Sequence, residues 1–176
     1  MKHALYILLL LISFHTLAQY VETDSRHFIR IETGYLKYFF TPVNVDASEN
    51  WKGYKLPNKE NGLIFNAMWG WDFNEATFLG VGAGYMNFEG IDGADVFTEV
   101  NFMVSNSYVN PYLGMRLGYT HLWNQYEKGS GSVLAEFLLG LQIRFGTYSY
   151  SSIHLQSGLS FTQQAVFVPL RLAYQF

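Results

Sequence analysis

Three residues in the second half of the chain have the side-chain types that hydrolytic enzymes use, namely Glu136, His154 and Ser157. In such sites a histidine takes the proton of a serine hydroxyl, and an acidic group orients the histidine. The residues around His154 alternate between apolar and polar, which indicates a β-strand. Because His154 and Ser157 are three positions apart, they fall on opposite faces of that strand. The spacing therefore argues against this catalytic set, and we expect no catalytic residues.

Other patterns that can bind metals or nucleotides are incomplete in this sequence. The segment from Asp92-Gly93 to Asp95 lacks the ligand pattern of a calcium-binding EF-hand loop. The repeat Gly80-x-Gly82-x-Gly84 has neither the spacing nor the following helix of a dinucleotide fingerprint. Cysteine is absent, and the histidines show no metal-ligand spacing; they are His3, His15, His27, His121 and His154. We therefore expect no metal and no cofactor.

The composition favours a membrane barrel over a soluble domain. Charged residues make up 14% of the 176 residues, against about a quarter in soluble proteins. Hydrophobic residues reach 49%, yet the mean hydropathy is only +0.05, since polar residues and glycine dilute them at short range. Lipid-facing and interior residues of a membrane barrel alternate in this way. The net charge of −3 and the lack of a basic stripe exclude nucleic acid as an expected partner.

The last eleven residues show the alternation most clearly. Apolar or aromatic side chains recur at every second position up to the final residue, at Leu170, Leu172, Tyr174 and Phe176. This stretch resembles the C-terminal insertion signal of bacterial outer-membrane β-barrels. The resemblance implies that the barrel-assembly machinery of the outer membrane recognises this end of the chain.

The alternation predicts eight strands, at about 27–40, 62–73, 76–87, 95–105, 111–119, 132–145, 150–161 and 166–176. Each is near or above the ~9–11 residues that a tilted strand needs to cross a bilayer. Residues 1–18 precede them and read as a cleaved secretory signal peptide, with Lys2, an apolar core and Ala18 before the cleavage site. Residues 19–176 would then form a single barrel domain.

The segment Asn-Pro-Tyr-Leu-Gly-Met-Arg-Leu-Gly-Tyr at 110–119 resembles strands of small OmpA/OmpX/OmpW-type barrels. This resemblance extends over essentially residues 19–176. It implies an all-β fold, an eight-stranded antiparallel transmembrane barrel in up-and-down order. It also implies that both termini lie in the periplasm and that the long connection at 41–61 lies outside the cell.

The alternation places most mid-strand charges on the face away from lipid, where a basic residue avoids a cost of about 2–4 kcal/mol. An eight-stranded barrel is just wide enough for side chains to fill it. We therefore expect an ion-paired, filled interior, with glycines 80, 82 and 84 leaving room for larger neighbours. The predicted interior charges are Arg30, Glu32, Glu99, Arg116, Glu136, Arg144 and Arg171.

The expected function is that of an integral outer-membrane protein with a structural or surface-interaction role. Two exposed loops, at 41–61 and 120–131, carry the candidate contact residues Trp51, Tyr54, Trp123 and Tyr126. The expected partners are outer-membrane lipids and lipopolysaccharide, and a protein partner on the loops or the outer wall remains open.

Four alternatives stay open from sequence. The first alternative is an accessory subunit of a larger outer-membrane complex. The second is a small channel, although Leu134 and Leu138 on the inner face argue for a plugged lumen. A third alternative is a lipid A-modifying enzyme similar to barrel lipid A deacylases, whose His-x-Ser order is absent here. The fourth is a soluble lipocalin-like barrel, with apolar residues inside and polar residues outside.

Overall fold

The computed structural model describes residues 26–40, 61–74, 76–88, 90–105, 107–123, 130–145, 151–162 and 165–176. The predicted signal peptide at 1–18 lies outside these residues. Eight β-strands account for almost all of the described chain: β1 Arg26–Phe40, β2 Gly62–Asn74, β3 Thr77–Phe88, β4 Ile91–Met103, β5 Val109–Leu122, β6 Ser130–Arg144, β7 Ser152–Phe161 and β8 Val166–Gln175.

The strands form one closed antiparallel barrel in sequence order, in which β1 pairs with both β2 and β8. Closure extends to the final residue. The backbone N–H of Phe176 donates to the carbonyl of Ile29 at 3.0 Å, and the N–H of Ile29 donates to the carbonyl of Phe176 at the same distance. The predicted fold, an eight-stranded antiparallel barrel in up-and-down order, is confirmed.

The strands are strongly staggered. The stagger can be counted by stepping from each residue to its direct partner on the next strand, once around the barrel. Such a circuit starts at Asn110 on β5 and returns to β5 at Thr120, ten residues further along, so the stagger is ten residues. For eight strands, this stagger corresponds to a strand tilt of about 40° from the barrel axis. The circuit passes through Asn110, Gln142, His154, Ala173, Glu32, Asn66, Gly84, Asp95 and Thr120.

Side chains alternate between a filled interior and an apolar outer wall, as β6 shows. Leu134, Glu136 and Leu138 are almost completely buried, whereas Val133 and Phe137 are 70% and 55% exposed. The buried charges and exposed large apolar side chains are the reverse of a lipocalin-like barrel. No helix among the described residues is long and apolar enough to cross a membrane.

Two predicted loops are shorter than expected. The fourth strand begins at Ile91 rather than at residue 95, and the turn before it contains Gly90 with a φ of +74°. β5 continues to Leu122, so Thr120 is a buried strand residue and not part of a loop. Gly and Asp are poor strand formers, whereas Thr is a good one. Ile91 and Leu122 belong to one interior apolar cluster, and this packing extends both strands.

Candidate functional site in the barrel interior

Six charged side chains meet in the middle of the lumen and form what we call the charged belt. All six are at most 3% exposed, and three are basic and three acidic. The belt consists of Arg30, Glu32, Glu99, Arg116, Glu136 and Arg171. Since buried charges are costly unless paired, their equal number is a requirement for stability.

The strand register brings these residues together. Glu99 on β4 is directly opposite Arg116 on β5, and Arg116 is directly opposite Glu136 on β6. Directly opposed side chains on one face are about 4.5–5.5 Å apart at Cβ, close enough for ion pairs. Arg30 and Glu32 are two positions apart on β1, so both point into the lumen.

Arg116 is the centre of the belt because it contacts all three glutamates. Its Nη2 lies 2.8 Å from Oε2 of Glu32, and its Nε lies 2.9 Å from Oε2 of Glu99 and 3.5 Å from Oε2 of Glu136. Arg30 bridges Glu32, at 2.8 Å, and Glu99. Arg171 closes the belt through its Nη2, 2.6 Å from Oε1 of Glu136.

Amides and aromatic rings complete the surroundings of the belt. The Nδ2 of Asn66 donates to Oε2 of Glu32 at 2.9 Å, and Asn101 donates to Glu99. The guanidinium carbon of Arg116 lies 3.9 Å from the ring centroid of Phe97, a cation–π arrangement. The belt is therefore held by neutral groups as well as by its own charges.

Glycines of β3 form a side-chain-free wall beside the belt. A Cβ atom on Gly80 would lie 2.5 Å from Sδ of Met68, and one on Gly82 would lie 2.5 Å from Cζ of Phe97. The side chains of β2 and β4 therefore lie over β3, in the space that these glycines leave.

Toward the end of the barrel opposite the chain termini, which we call the loop end, the lumen is filled by apolar residues. These residues form what we call the apolar cap. Each is at most 3% exposed, and Phe88 and Phe167 have their ring centroids 5.1 Å apart. The cap consists of Leu36, Ile64, Met86, Phe88, Leu122, Ala165 and Phe167.

Toward the terminal end, aromatic and polar residues fill the lumen. The rings of Phe78, Tyr112 and His154 contact one another, with centroids 5.7 to 6.3 Å apart. The Nε2 of His154 lies 3.0 Å from Oγ of Ser152, to which Nε2 of Gln142 donates at 3.3 Å. Buried side chains therefore lie in the lumen on both sides of the belt.

Arg144, the seventh predicted interior charge, lies outside the belt. It is half-buried at the terminal end of β6, and its Nε donates to Oε1 of Gln142 at 3.2 Å. Arg144 and Glu136 share a face of β6, but they are eight residues apart along it. At about 3.3 Å per residue, this places Arg144 too far along the strand to join the other six.

Asp95 is an interior carboxylate that the sequence reasoning did not include. It is 2% exposed and lies four positions before Glu99 on the same face of β4, and the inward direction of Glu99 was predicted. That spacing could have identified it. Its assignment to the very start of a strand removed it from the mid-strand charges.

The structure does not bring the residues with hydrolytic side chains together. His154 and Glu136 are buried in the lumen, whereas Ser157 lies on the outer wall, where the directly opposed residues are Leu139 and Leu170. Ser157 therefore faces away from the only histidine of β7. These three residues cannot act as one catalytic set in this barrel.

The candidate contact residues on loops are described only in part. Trp51, Tyr54 and Tyr126 lie outside the described residues. Trp123 is 44% exposed at the loop end of β5, and its ring centroid is 5.3 Å from that of His121. The backbone N–H of Trp123 donates to the carbonyl of Asp92 at 2.7 Å, which ties this rim to β4.

The residues of the predicted insertion signal lie together on the outer wall. Leu170, Leu172, Tyr174 and Phe176 are between 45% and 53% exposed. The rings of Tyr174 and Phe176 stack with centroids 6.0 Å apart at the terminal end. This face of β8 is therefore a continuous apolar strip that ends in two aromatic rings.

Comparison with known proteins supports the fold. No protein-family model matches the chain, and no curated protein matches it significantly. The chain is similar to the crystal structure of Neisserial surface protein A, at 11% identity over 87% of this chain and 98% of that one, with a TM-score of 0.63. It is also similar to the N-terminal β-barrel domain of Pseudomonas aeruginosa OprF, at 10% identity over 87% of this chain and all of that one, with a TM-score of 0.58. The fold is that of small eight-stranded outer-membrane barrels, as the OmpA/OmpX/OmpW resemblance predicted.

Proposed function

We propose that this protein is an integral outer-membrane β-barrel with a side-chain-filled lumen and a structural or surface-interaction role. The observation that carries the proposal is the closed barrel with large apolar residues outside and paired charges inside. Every backbone polar group must be paired within hydrocarbon, and a closed barrel satisfies this requirement. The apolar side chains of its outer wall would then contact the apolar lipid chains.

The filled lumen favours this role over that of a channel. The charged belt occupies the middle of the lumen, and the apolar cap occupies the loop end. A conducting pore needs a continuous polar path, whereas the buried side chains of Leu36, Ile64 and Phe167 are apolar at the level of the cap. Ions would therefore have to displace packed side chains in order to pass.

The separation of Ser157 from His154 and Glu136 supports a non-enzymatic role. A lipid A-modifying enzyme needs its nucleophile and base within hydrogen-bonding reach, about 2.6–3.2 Å apart. The wall of the barrel lies between these two groups instead. The proposal therefore includes no catalytic residues and no cofactor.

The proposal also sets an orientation and partners. Both termini lie in the periplasm, and the apolar strip of β8 that ends at Phe176 is recognised by the barrel-assembly machinery. Lipids surround the wall, and lipopolysaccharide headgroups contact the loop-end rim near Trp123. The loops at 41–61 and 123–129 provide the surface for a protein partner.

The proposal is tested on outer membranes separated from inner membranes and soluble protein. We expect the detergent-extracted protein to migrate faster on a gel before boiling than after it, as a closed barrel does. In planar lipid bilayers we expect no steady conductance. Recovery in the soluble fraction without a heat-dependent shift in gel mobility would contradict the outer-membrane location. Steady ion currents would contradict the filled lumen and indicate a channel.

A further inference from the structure

We propose that Asp95, Asn66 and Thr120 form a binding site for one sodium ion inside the barrel. The site lies between the charged belt and the apolar cap. All three side chains are at most 2% exposed. Asp95 and Thr120 are on the adjacent strands β4 and β5, and Asn66 is on β2, with Gly84 of β3 between Asn66 and Asp95. The inference is independent of the surface role proposed above.

The first argument is the balance of charge. The three arginines and three glutamates of the belt neutralise one another. Asp95 is a fourth buried carboxylate, and no described residue forms a hydrogen bond with either of its oxygens. A buried carboxylate without a counter-charge is strongly unfavourable. The charges of the belt and Asp95 thus sum to −1, which a cation bound at Asp95 would neutralise.

The second argument is the direction of the neighbouring oxygens. The Nδ2 of Asn66 donates to Glu32, and because a carboxylate only accepts, this bond fixes which way the amide points. Its Oδ1 then faces the space above Gly84. A Cβ atom on Gly84 would collide with this oxygen and with Oδ1 of Asp95. Two acceptor oxygens thus converge on one point with no described donor between them.

Thr120 supplies a further oxygen. It is directly opposite Asp95 in the β4–β5 ladder, which places the two Cβ atoms about 4.5–5.5 Å apart. Its Oγ1 is buried and has no hydrogen-bond partner among the described residues. Thr120 is therefore the neighbour of Asp95 whose hydroxyl oxygen is available as a third ligand beside the carboxylate and the amide oxygen.

The chemistry of these ligands selects the ion. Carboxylate, amide and hydroxyl oxygens are hard ligands that suit alkali and alkaline-earth ions rather than zinc or copper. The site carries a single negative charge. A monovalent ion would make it neutral, whereas a divalent ion would leave a buried positive charge. Sodium therefore fits the charge and the donor set together.

The test compares urea unfolding of the full-length barrel, refolded in detergent, in sodium chloride and in choline chloride at equal ionic strength. A ligand present at ten times its Kd raises the ratio of folded to unfolded protein about elevenfold. We expect such a rise with sodium for the unmodified protein. We expect none for Asp95→Asn, which keeps the size of the side chain but removes its charge.

Asp92→Asn is the matched control, because it makes the same change on β4 at the exposed rim, and its sodium response should equal that of the unmodified barrel. If Asp95→Asn does not refold, Thr120→Val removes one oxygen at nearly constant size and should weaken the response. Equal stability in the two salts overturns the proposal. A second result would also overturn it: the unmodified barrel becomes more stable as the pH falls, sodium has no effect, and Asp95→Asn abolishes the pH response. A proton on Asp95 would then neutralise its charge in place of sodium.

Discussion

The charged belt and the apolar cap fill neighbouring lengths of the same lumen by different means. The belt places six charged side chains in specific pairs, with bonds such as the 2.6 Å contact between Arg171 and Glu136. The cap places seven apolar residues in mutual contact without directional bonds. Both regions are almost completely buried, so burial alone does not distinguish them.

The difference lies in how much each region depends on particular partners. An apolar core tolerates changes that preserve volume, because dispersion contacts are non-directional. A buried ion pair that loses one member leaves the other uncompensated. We therefore expect the belt to specify which strands pair, and the cap mainly to fill the bore.

The largest expected effect is that of Glu99→Gln in the belt. The substitution keeps the shape of the side chain but leaves Arg30 and Arg116 with too little negative charge. Breaking a buried ion pair typically costs about 3–5 kcal/mol. Urea unfolding of the refolded barrel should show a loss of this size.

The control for this prediction is the double variant Arg30→Gln with Glu99→Gln. It restores equal numbers of positive and negative charges in the belt. The double variant should be more stable than the sum of the two single losses predicts, by about 0.5–3 kcal/mol. Strict additivity would show that the belt does not act through pairing.

A smaller loss is expected for Arg171→Met at the edge of the belt. Among the arginines of the belt, Glu136 then keeps only Arg116, at the longer distance of 3.5 Å from Nε to Oε2. A poorly satisfied buried acceptor costs about 1–3 kcal/mol. If Arg171→Met lowered the unfolding free energy as much as Glu99→Gln does, the edge of the belt would matter as much as the contacts of Arg116, and Arg116 would not be its centre.

Met86→Leu changes the cap while keeping nearly the same volume. Since the contacts of Met86 in the cap are apolar, the expected loss is below about 1.5 kcal/mol. The unfolding midpoint should stay near that of the unmodified barrel. A loss as large as that of Glu99→Gln would remove the distinction between cap and belt.

The smallest effect is expected for Trp123→Ala at the rim, outside both regions. Trp123 is 44% exposed, and changes at exposed positions usually stay within about 0.5 kcal/mol. Binding of the refolded protein to vesicles with and without lipopolysaccharide should change more than its stability does. Unchanged binding would remove Trp123 from the proposed contact surface.

The sequence was sufficient for the number of strands and for the face on which each side chain lies. Alternation with period two determines which wall a residue faces, and Glu99, Arg116 and Glu136 were assigned inward on this basis alone. The strand ends were less accurate. Asp92 has low strand propensity, and its inclusion in β4 depends on its pairing with Asn87 of β3. Thr120 continues β5 because it pairs with Asp95 of β4.

The sequence could not predict the height of each residue along the barrel. Height depends on the stagger between strands, which alternation leaves undetermined. Arg144 was therefore predicted together with the six residues of the belt, although it lies near the terminal end of β6. Asp95 was left out for a different reason, because the start of β4 was placed too late in the sequence. The register of the eight strand pairs supplies the missing information.

The glycine wall of β3 has a consequence for how this sequence can vary. An added Cβ on Gly80, Gly82 or Gly84 would overlap with atoms of Met68, Phe97 or Asn66. By contrast, large outward residues such as Val133 and Leu139 face lipid in the proposed orientation, where one apolar side chain can replace another. In a library of all single substitutions, these three glycines should therefore accept fewer replacements than the bulky outward positions of the wall.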